Sequence, residues 1–496
     1  MGKLSNRLAK FWEFGAGRMF LAAFFAHSVS ISIGITQGYS AIWIPQLQAL
    51  GEFDITMEQS SWLASLGAVT NPIGSILSGV LAEWLGRKRA IQISSIPFVI
   101  GWVLIGLGQN IYWLYAGRLI TGIAGGMSTA SYTYVGEIAT PNTRGFLQAL
   151  GPICASFGIL FSYVAGYILY WKTVALLSSL FAIISLVTIQ FMPDSPAHLV
   201  KINNGANMTS NSEAFEAYMF FSRNVATAEQ ELKKASTGDI IDKISQKPLK
   251  ELYLSPETVK PFCLLIVLFL LQELSGIYSI LFYAVEFFGE TDLKINNYIS
   301  SIFVGTIRFA MSIACAVLIQ KAGRKTLCTF SSFGMALSVL ILGLYIKYYE
   351  INPNEERILS LLPLFCIVFN VFFSMIGMLP IPWILVGEMF PLRVRPIMAG
   401  VVICIAQIFI FICVKIYNNM VDFLGFGGTI FTFFGASVLS MLFCKYVLPE
   451  TKGQSLDEIE AYFRGTKKDV EHSSHSGLVN HAFTVSSENI SVVTSR

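Results

Sequence analysis

Twelve apolar runs, each long enough to cross a bilayer, succeed one another along the chain and leave few choices of fold. They lie at roughly 19–42, 60–82, 90–108, 112–136, 146–169, 173–192, 261–287, 297–319, 327–347, 359–387, 397–418 and 427–447. Apolar runs of ~18 residues or more read as membrane helices. In lipid every backbone polar group must be bonded within its own segment. The expected class is therefore an all-α membrane protein with twelve transmembrane helices and the lipid bilayer as a partner. Charged residues make up 13% of the chain, about half the ~25% usual for soluble domains. The eight cysteines fall in or beside the runs without paired spacing, so neither a disulfide framework nor a zinc site is indicated. No metal or cofactor is expected.

The placement of charge orients the chain. With both termini inside, Arg118, Lys172, Lys294, Lys347, Arg357 and Lys415 are the outer cations and Arg308 lies within a run. The large majority of the 34 Lys and Arg then face inward, which fixes both ends as cytoplasmic. The first run is too long and too polar in its middle for a cleavable signal. The basic N-terminal segment is expected on the inner membrane surface, and the Ser-, His- and Thr-rich tail after Arg464 reads as disordered. Asn207 and Asn489 head glycosylation acceptor motifs that this orientation leaves unused.

Landmarks recur in order. Glu83 and Gly86-Arg87-Lys88 follow the second run; Gly323-Arg324-Lys325 follow the eighth. Glu137 ends the fourth run and Arg144 stands seven residues on; Glu388 ends the tenth and Arg395 stands seven residues on. Pro193-Asp194-Ser195-Pro196 closes the sixth run, and Pro449-Glu450-Thr451-Lys452-Gly453 the twelfth. This is an internal duplication of six spans, the same way up. The expected domains are an N-terminal half at 1–193, a cytoplasmic linker at 194–260 with short helices at 213–224 and 228–234, a C-terminal half at 261–448 and a cytoplasmic tail at 449–496.

Three constellations carry chemistry. First, the carboxylates of Glu83, Glu137, Asp194, Glu388 and Glu450 neighbour the cations Arg87, Arg144, Arg324 and Arg395 at one face. Exposed ion pairs contribute only ~0–1 kcal/mol each, so only a shared, partly desolvated network would bias a conformational equilibrium. The expectation is a cytoplasmic gate whose pairs hold the inner ends of the halves together; ordinary snorkelling and topology signals are the bland alternative. Second, Gln272, Ser275, Ser279 and Tyr283 recur at helical spacing as one polar stripe. Such a stripe faces protein or water rather than lipid, and with its aromatic neighbours it suits a neutral polyhydroxylated ligand; interhelical hydrogen bonding is the alternative. Glu273 and Arg308 each lie 13 residues from an inner lysine, Lys260 and Lys321, so both sit ~20 Å deep. They are expected to meet, as a fixed salt bridge, a ligand-contacting pair or a proton-linked one. Third, Pro380 and Pro382 each remove a backbone donor and forbid a regular helix. Broken helix within a membrane is tolerated where it lines a cavity, which makes Trp383 a candidate cavity wall; a kink with a Trp at the interface belt is the alternative. No nucleophile–base set, phosphate loop or metal cluster stands on a soluble domain, so no enzyme is expected. No nucleic acid and no obligatory protein partner are indicated.

These residues resemble the sugar porter family of the major facilitator superfamily over almost the whole chain, and within it the insect facilitated trehalose and hexose carriers. Pro449-Glu450-Thr451-Lys452-Gly453 is the most specific marker. Arg118 with Gly122, Glu137 with Arg144-Gly145, Pro380-x-Pro382-Trp383 and Gln272 through Tyr283 support it. The resemblance implies two parallel six-helix halves, alternating access and a sugar bound between the halves. Gln272 would hydrogen-bond sugar hydroxyls, Trp383 would stack on the ring, and Arg87, Glu137, Arg144, Arg324, Glu388 and Arg395 would form the inner gate. Proton-coupled relatives carry Asp where Ser40 stands, so facilitated diffusion is implied. The chain departs from the family pattern at Glu273, Tyr278 and Arg308 in the pocket, and at Glu83, Asp194 and Ala197 near the gate. The expectation is a facilitative carrier of trehalose or a hexose in the cell membrane. The alternatives are a carrier of another small solute, such as an organic acid partnered by Arg308, and a receptor that binds sugar without moving it.

Overall fold

The computed structural model describes residues 16–51, 55–139, 143–202, 213–222, 249–289, 296–352, 354, 359–391, 394–454 and 456–464. Among these residues the chain is helical with no strand. In the N-terminal half run α1 (Ala16–His27), α2 (Val29–Leu50), α3 (Met57–Leu85), α4 (Arg87–Gly106), α5 (Ile111–Met127), α6 (Ala130–Ile138), α7 (Arg144–Ile168) and α8 (Trp171–Thr188). Between the halves come three short helices, α9 (Pro196–Ile202), α10 (Glu213–Ser222) and α11 (Leu249–Tyr253). The C-terminal half comprises α12 (Pro256–Leu274), α13 (Ile277–Phe282), α14 (Ala284–Gly289), α15 (Asn297–Lys321), α16 (Arg324–Ile351), α17 (Leu362–Ile376), α18 (Ile381–Glu388), α19 (Arg395–Tyr446) and α20 (Leu456–Arg464). The helix expected at 213–224 is α10. The one expected at 228–234, both glycosylation motifs, the N-terminal segment and the tail after Arg464 lie outside the described residues.

Every apolar run is helical over most of its length. Nine stretches among the described residues are long and apolar enough to cross a bilayer. The twelve runs reduce to nine because two of them share α19, bent at Gly425 with φ +74°, while the fourth and seventh are interrupted. The interruption of the seventh has a local cause. Gly276 adopts φ +81° between α12 and α13, a left-handed conformation that side chains rarely tolerate. A Cβ there would also lie 2.5 Å from the Phe433 ring. Run ten breaks as its prolines dictate, between α17 and α18.

Helix starts are capped where the sequence supplies a cap. Thr56 and Gln59 form a reciprocal capping box, with N–O distances of 3.2 and 3.0 Å, and Asn110 accepts from Tyr112 and Trp113. After the Gly425 bend, Glu350 accepts the Gly427 N–H at 3.0 Å. Each half packs mainly on itself, α3 against α5 and α2 against α7 in the first, α16 against α19 and α17 in the second. The main seams between the halves are α3 with α19 and α7 with α15, and α13 and α14 also lie on α2. α12 lies on α19, whereas α15 lies on α7 and α17. The seventh and eighth runs, consecutive in sequence, are thus not packed side by side along their length.

Candidate transport site and its charged face

At the face carrying the duplicated motifs, the two halves repeat each other nearly atom for atom. Arg87 meets Glu137 at 2.9 Å, and Arg324 meets Glu388 at 2.9 Å. Each arginine also donates to a carbonyl five residues back, Ala82 for Arg87 and Ile319 for Arg324. Each glutamate takes a hydroxyl from the motif closing its half, Ser195 on Glu137 and Thr451 on Glu388. The carboxylate of that same motif caps the next helix start: Asp194 accepts from Lys88 N at 3.2 Å, and Glu450 accepts from Arg324 N at 2.8 Å. Glu83 joins the first cluster, 3.6 Å from Arg87. The arginine side chains are only 9% and 17% exposed, so water screens these pairs less than it screens surface ones.

The expectation that these charges hold the two halves together is corrected. Each ion pair lies within one half, and among the described residues none bridges the halves at this face. Arg395 donates to its neighbour's carbonyl, Phe390 O, at 2.8 and 3.0 Å. Burial, and then the like charge of Arg144 across the seam, push its guanidinium below the usual arginine range. Arg144 is exposed. Glu388 is also in the electrostatic surroundings of Arg395 and draws the other way. The first cluster also holds a group that sequence reasoning missed. His198 Nδ1 lies 2.6 Å from Arg87 Nη1. The signal was present, in the residues directly after Asp194-Ser195-Pro196.

In the bundle centre, the breaks of runs seven and ten meet. Gln272 donates both amide hydrogens across this junction, to Met378 O at 3.0 Å and Leu379 O at 3.1 Å. It thereby satisfies carbonyls that the Pro380–Pro382 break orphaned. Its Oε1 is buried with no hydrogen-bond partner among the described residues. Gln272 therefore has its acceptor, rather than its donors, left for a solute. Ser275 donates to Gln272 O, and Ser279 is buried. Tyr283 stacks on Tyr417 at 5.0 Å and sits 3.4 Å from Val414 O. The stripe thus faces protein, as its polarity requires, but it winds through a helix break rather than along one helix.

Trp383 is half-buried and packs edge-on against Phe269, with ring centroids 5.1 Å apart. Tyr278, buried, sits beside it with Glu273 and Arg308 both in its electrostatic surroundings. The expected meeting of Glu273 with Arg308 is corrected as well. Glu273 is 1% exposed and, among the described residues, neither of its oxygens has a hydrogen-bond partner; Arg308 is 6% exposed and its Nε has none there either. The cause is the divergence of α12 from α15, which turns Glu273 toward Cys413 and Arg308 toward Tyr163 and Tyr278.

Arg118, placed on the outer side from sequence, is fully buried in α5. It donates to Leu63 O at 2.9 Å, Thr36 O at 2.8 Å, Ala64 O at 3.2 Å and the Ser40 hydroxyl, and lies over the Trp43 ring. All its acceptors are neutral. Along the α3–α19 seam, Asn71 donates to Gln407 at 3.1 Å. This bond borders a cavity of about 20 Å³ lined also by Thr36, Gln37 and Thr121, room for a water and little more. Toward the end of the seam remote from the charged clusters, Lys415 bonds the Ser61 hydroxyl at 2.6 Å and lies 4.5 Å from the Trp62 ring, which packs on Phe411. Nothing in the sequence marks Lys415 except a lone cation near the end of an apolar run.

A bundle of two repeated helical halves, broken at its centre around buried polar atoms and braced by charge at one end, defines a multi-pass membrane transporter. The chain belongs to the sugar (and other) transporter family, whose model matches residues 20–463. It is 30% identical over 451 residues to the facilitated trehalose transporter Tret1 of Polypedilum vanderplanki, covering 90% of this chain and 88% of that one. To the Bombyx mori protein of that name it is 29% identical over 442 residues, 89% and 86% of the two chains. Its match to the Drosophila virilis Tret1, 28% identical, covers 90% of this chain but spans about half of that longer protein (48%). Among solved structures it is similar to the proton:xylose symporter XylE bound to 6-bromo-6-deoxy-D-glucose, with a TM-score of 0.75, 19% identity and 91% and 100% of the chains covered. A partially occluded inward-open form of XylE from E. coli aligns with a TM-score of 0.69, at 19% identity over 88% and 99% of the chains. At such identity the likeness speaks for the major facilitator fold.

Proposed function

We propose that this protein is a facilitative carrier that moves trehalose or a hexose down its gradient by alternating access. It sits in the cell membrane with both termini cytoplasmic and has no enzymatic activity. The charged face is then the cytoplasmic one, and residues 1–193 and 261–448 are the halves that move about the central site. The observation that carries the reading is the junction of two broken helices beside Trp383 and Tyr278, where Gln272 Oε1, both Glu273 oxygens and Arg308 Nε are buried without partners among the described residues. Buried polar groups left without partners are costly, and a polyol brings hydroxyls that donate to the acceptors and accept from the guanidinium. Transport without proton coupling is supported at Arg118, which is held by carbonyls and a serine rather than by an acid. The insect relatives, named as facilitated trehalose transporters, support the solute class.

Radiolabelled uptake into proteoliposomes tests this. Trehalose or a hexose is expected to equilibrate without a pH gradient and to gain nothing from one. Uptake inhibited by organic acids but not by sugars overturns the choice of solute. Arg308 favours that second reading, because a guanidinium with a free donor is also a site for a carboxylate.

A further inference from the structure

His198 has no titratable counterpart in the other half. It stands three residues after Ser195, and Gln454 stands three residues after Thr451. A guanidinium carries donors only and keeps its charge, so the 2.6 Å contact with Arg87 Nη1 makes His198 Nδ1 the acceptor. Its ring proton is then on Nε2, and the ring is neutral. The ring is 2% exposed, and Nε2 has no partner among the described residues. The charged groups around it come from each packed element: Glu83 on α3, Arg87 on α4, Glu137 on α6 and Asp194 in the preceding turn.

We propose that His198 is a positioning residue: as neutral imidazole it holds Arg87 against Glu137 and ties α9 to the N-terminal half, and its protonation releases that tie and slows transport. An imidazolium has no lone pair at Nδ1, so it cannot accept from Arg87 and instead faces it as a second cation. It is drawn to Glu137 and Asp194, the groups that otherwise hold Arg87 and cap α4. Burial, and then the Arg87 charge, hold His198 below its ordinary value of 6.5. The sign follows by linkage. The tie is complete above that ordinary value and is lost as the pH falls through the lowered one. The C-terminal cluster has no such group, so acid loosens one half only.

The test uses the full chain in proteoliposomes with equal pH on both sides. The initial rate of radiolabelled trehalose exchange is read at about pH 7.5 and about pH 5, the acid value being set well under 6.5 because His198 is held below it. The wild-type rate is expected to fall about two- to fivefold on acidification, the size of one weak charged contact. His198→Gln, a neutral side chain able to accept from Arg87, is expected to keep the higher rate at both values. His198→Lys is expected to be slow at both. An acid step in His198→Gln equal to that of the wild type overturns the proposal, as does a wild-type rate for His198→Lys or the absence of any step in the wild type. The exchange assay rests on the sugar reading, and the second readout does not. The thermal unfolding midpoint in detergent is expected to drop more on acidification in the wild type than in His198→Gln, and equal drops overturn the proposal. Absence of trehalose exchange in every variant, with the midpoints separating as expected, rejects the sugar and keeps the tie.

Discussion

Arg118 and Arg308 are both buried in the helix bundle, one in each half, and their surroundings differ. Arg118 donates to three carbonyls and a hydroxyl drawn from α2 and α3. Arg308 keeps an Nε with no acceptor, near Tyr163 and Tyr278. A buried cation with four of its five N–H donors taken is a strut, tying two helices through carbonyls that already serve their own helix. A buried cation with a donor unspent stays in place because its neighbours are locked, and it is available to a solute. Residue type alone does not separate the two roles; the count of satisfied donors does.

The comparison can be broken at four points. Arg118→Met removes the second donor from three buried helix carbonyls and the partner of the Ser40 hydroxyl, and is expected to cost about 3 kcal/mol, read as thermal unfolding in detergent. A loss as large in Arg308→Met would erase the distinction. Gln272→Ala orphans the Met378 and Leu379 carbonyls and should cost about 2 kcal/mol. Gln272→Glu, which keeps the acceptor but not the donors, should cost nearly as much, whereas full stability in Gln272→Glu would show that the amide is not a cap. Arg308→Met should retain the fold while lowering kcat/KM for the transported solute about tenfold, as expected when a site loses a polar contact; unchanged kinetics would place Arg308 outside the site. Glu273→Gln should move stability by less than about 1 kcal/mol. A fixed salt bridge to Arg308, the pairing inferred from depth alone, would instead cost about 3–5 kcal/mol when broken.

Much of the fold was legible because membrane helices declare themselves by length and apolarity, and because the duplicated motifs fixed the symmetry before any coordinates. The break at Pro380 and Pro382 was legible for the same kind of reason: proline chemistry is local. The break at Gly276 was not, since a glycine in an apolar run looks like a packing residue until Phe433 is seen pressed against it. The duplicated clusters were legible as to members and illegible as to partners. Spacing set Glu137 beside Arg144 and Glu388 beside Arg395, whereas the packing of each half closes Arg87 on Glu137 and Arg324 on Glu388. Depth placed Glu273 and Arg308 together, and the divergence of α12 from α15 sets them apart. Arg118 read as an outer cation because its run begins just before it. Lys415 and His198 were visible as residues but not as contacts, each being a single polar residue whose meaning comes from a neighbour distant in sequence.

The ion pairs of the charged face close inside each half and not between them. They therefore act as stiffeners of two blocks rather than as bolts across a joint. Sliding one block past the other from this arrangement breaks none of them, so charge there sets how faithfully each block moves as a unit. What must be undone to part the blocks includes a cation resting on an indole, a lysine–serine bond, an amide bond and a tyrosine hydroxyl on a carbonyl, contacts that depend more on fit than on ionic strength.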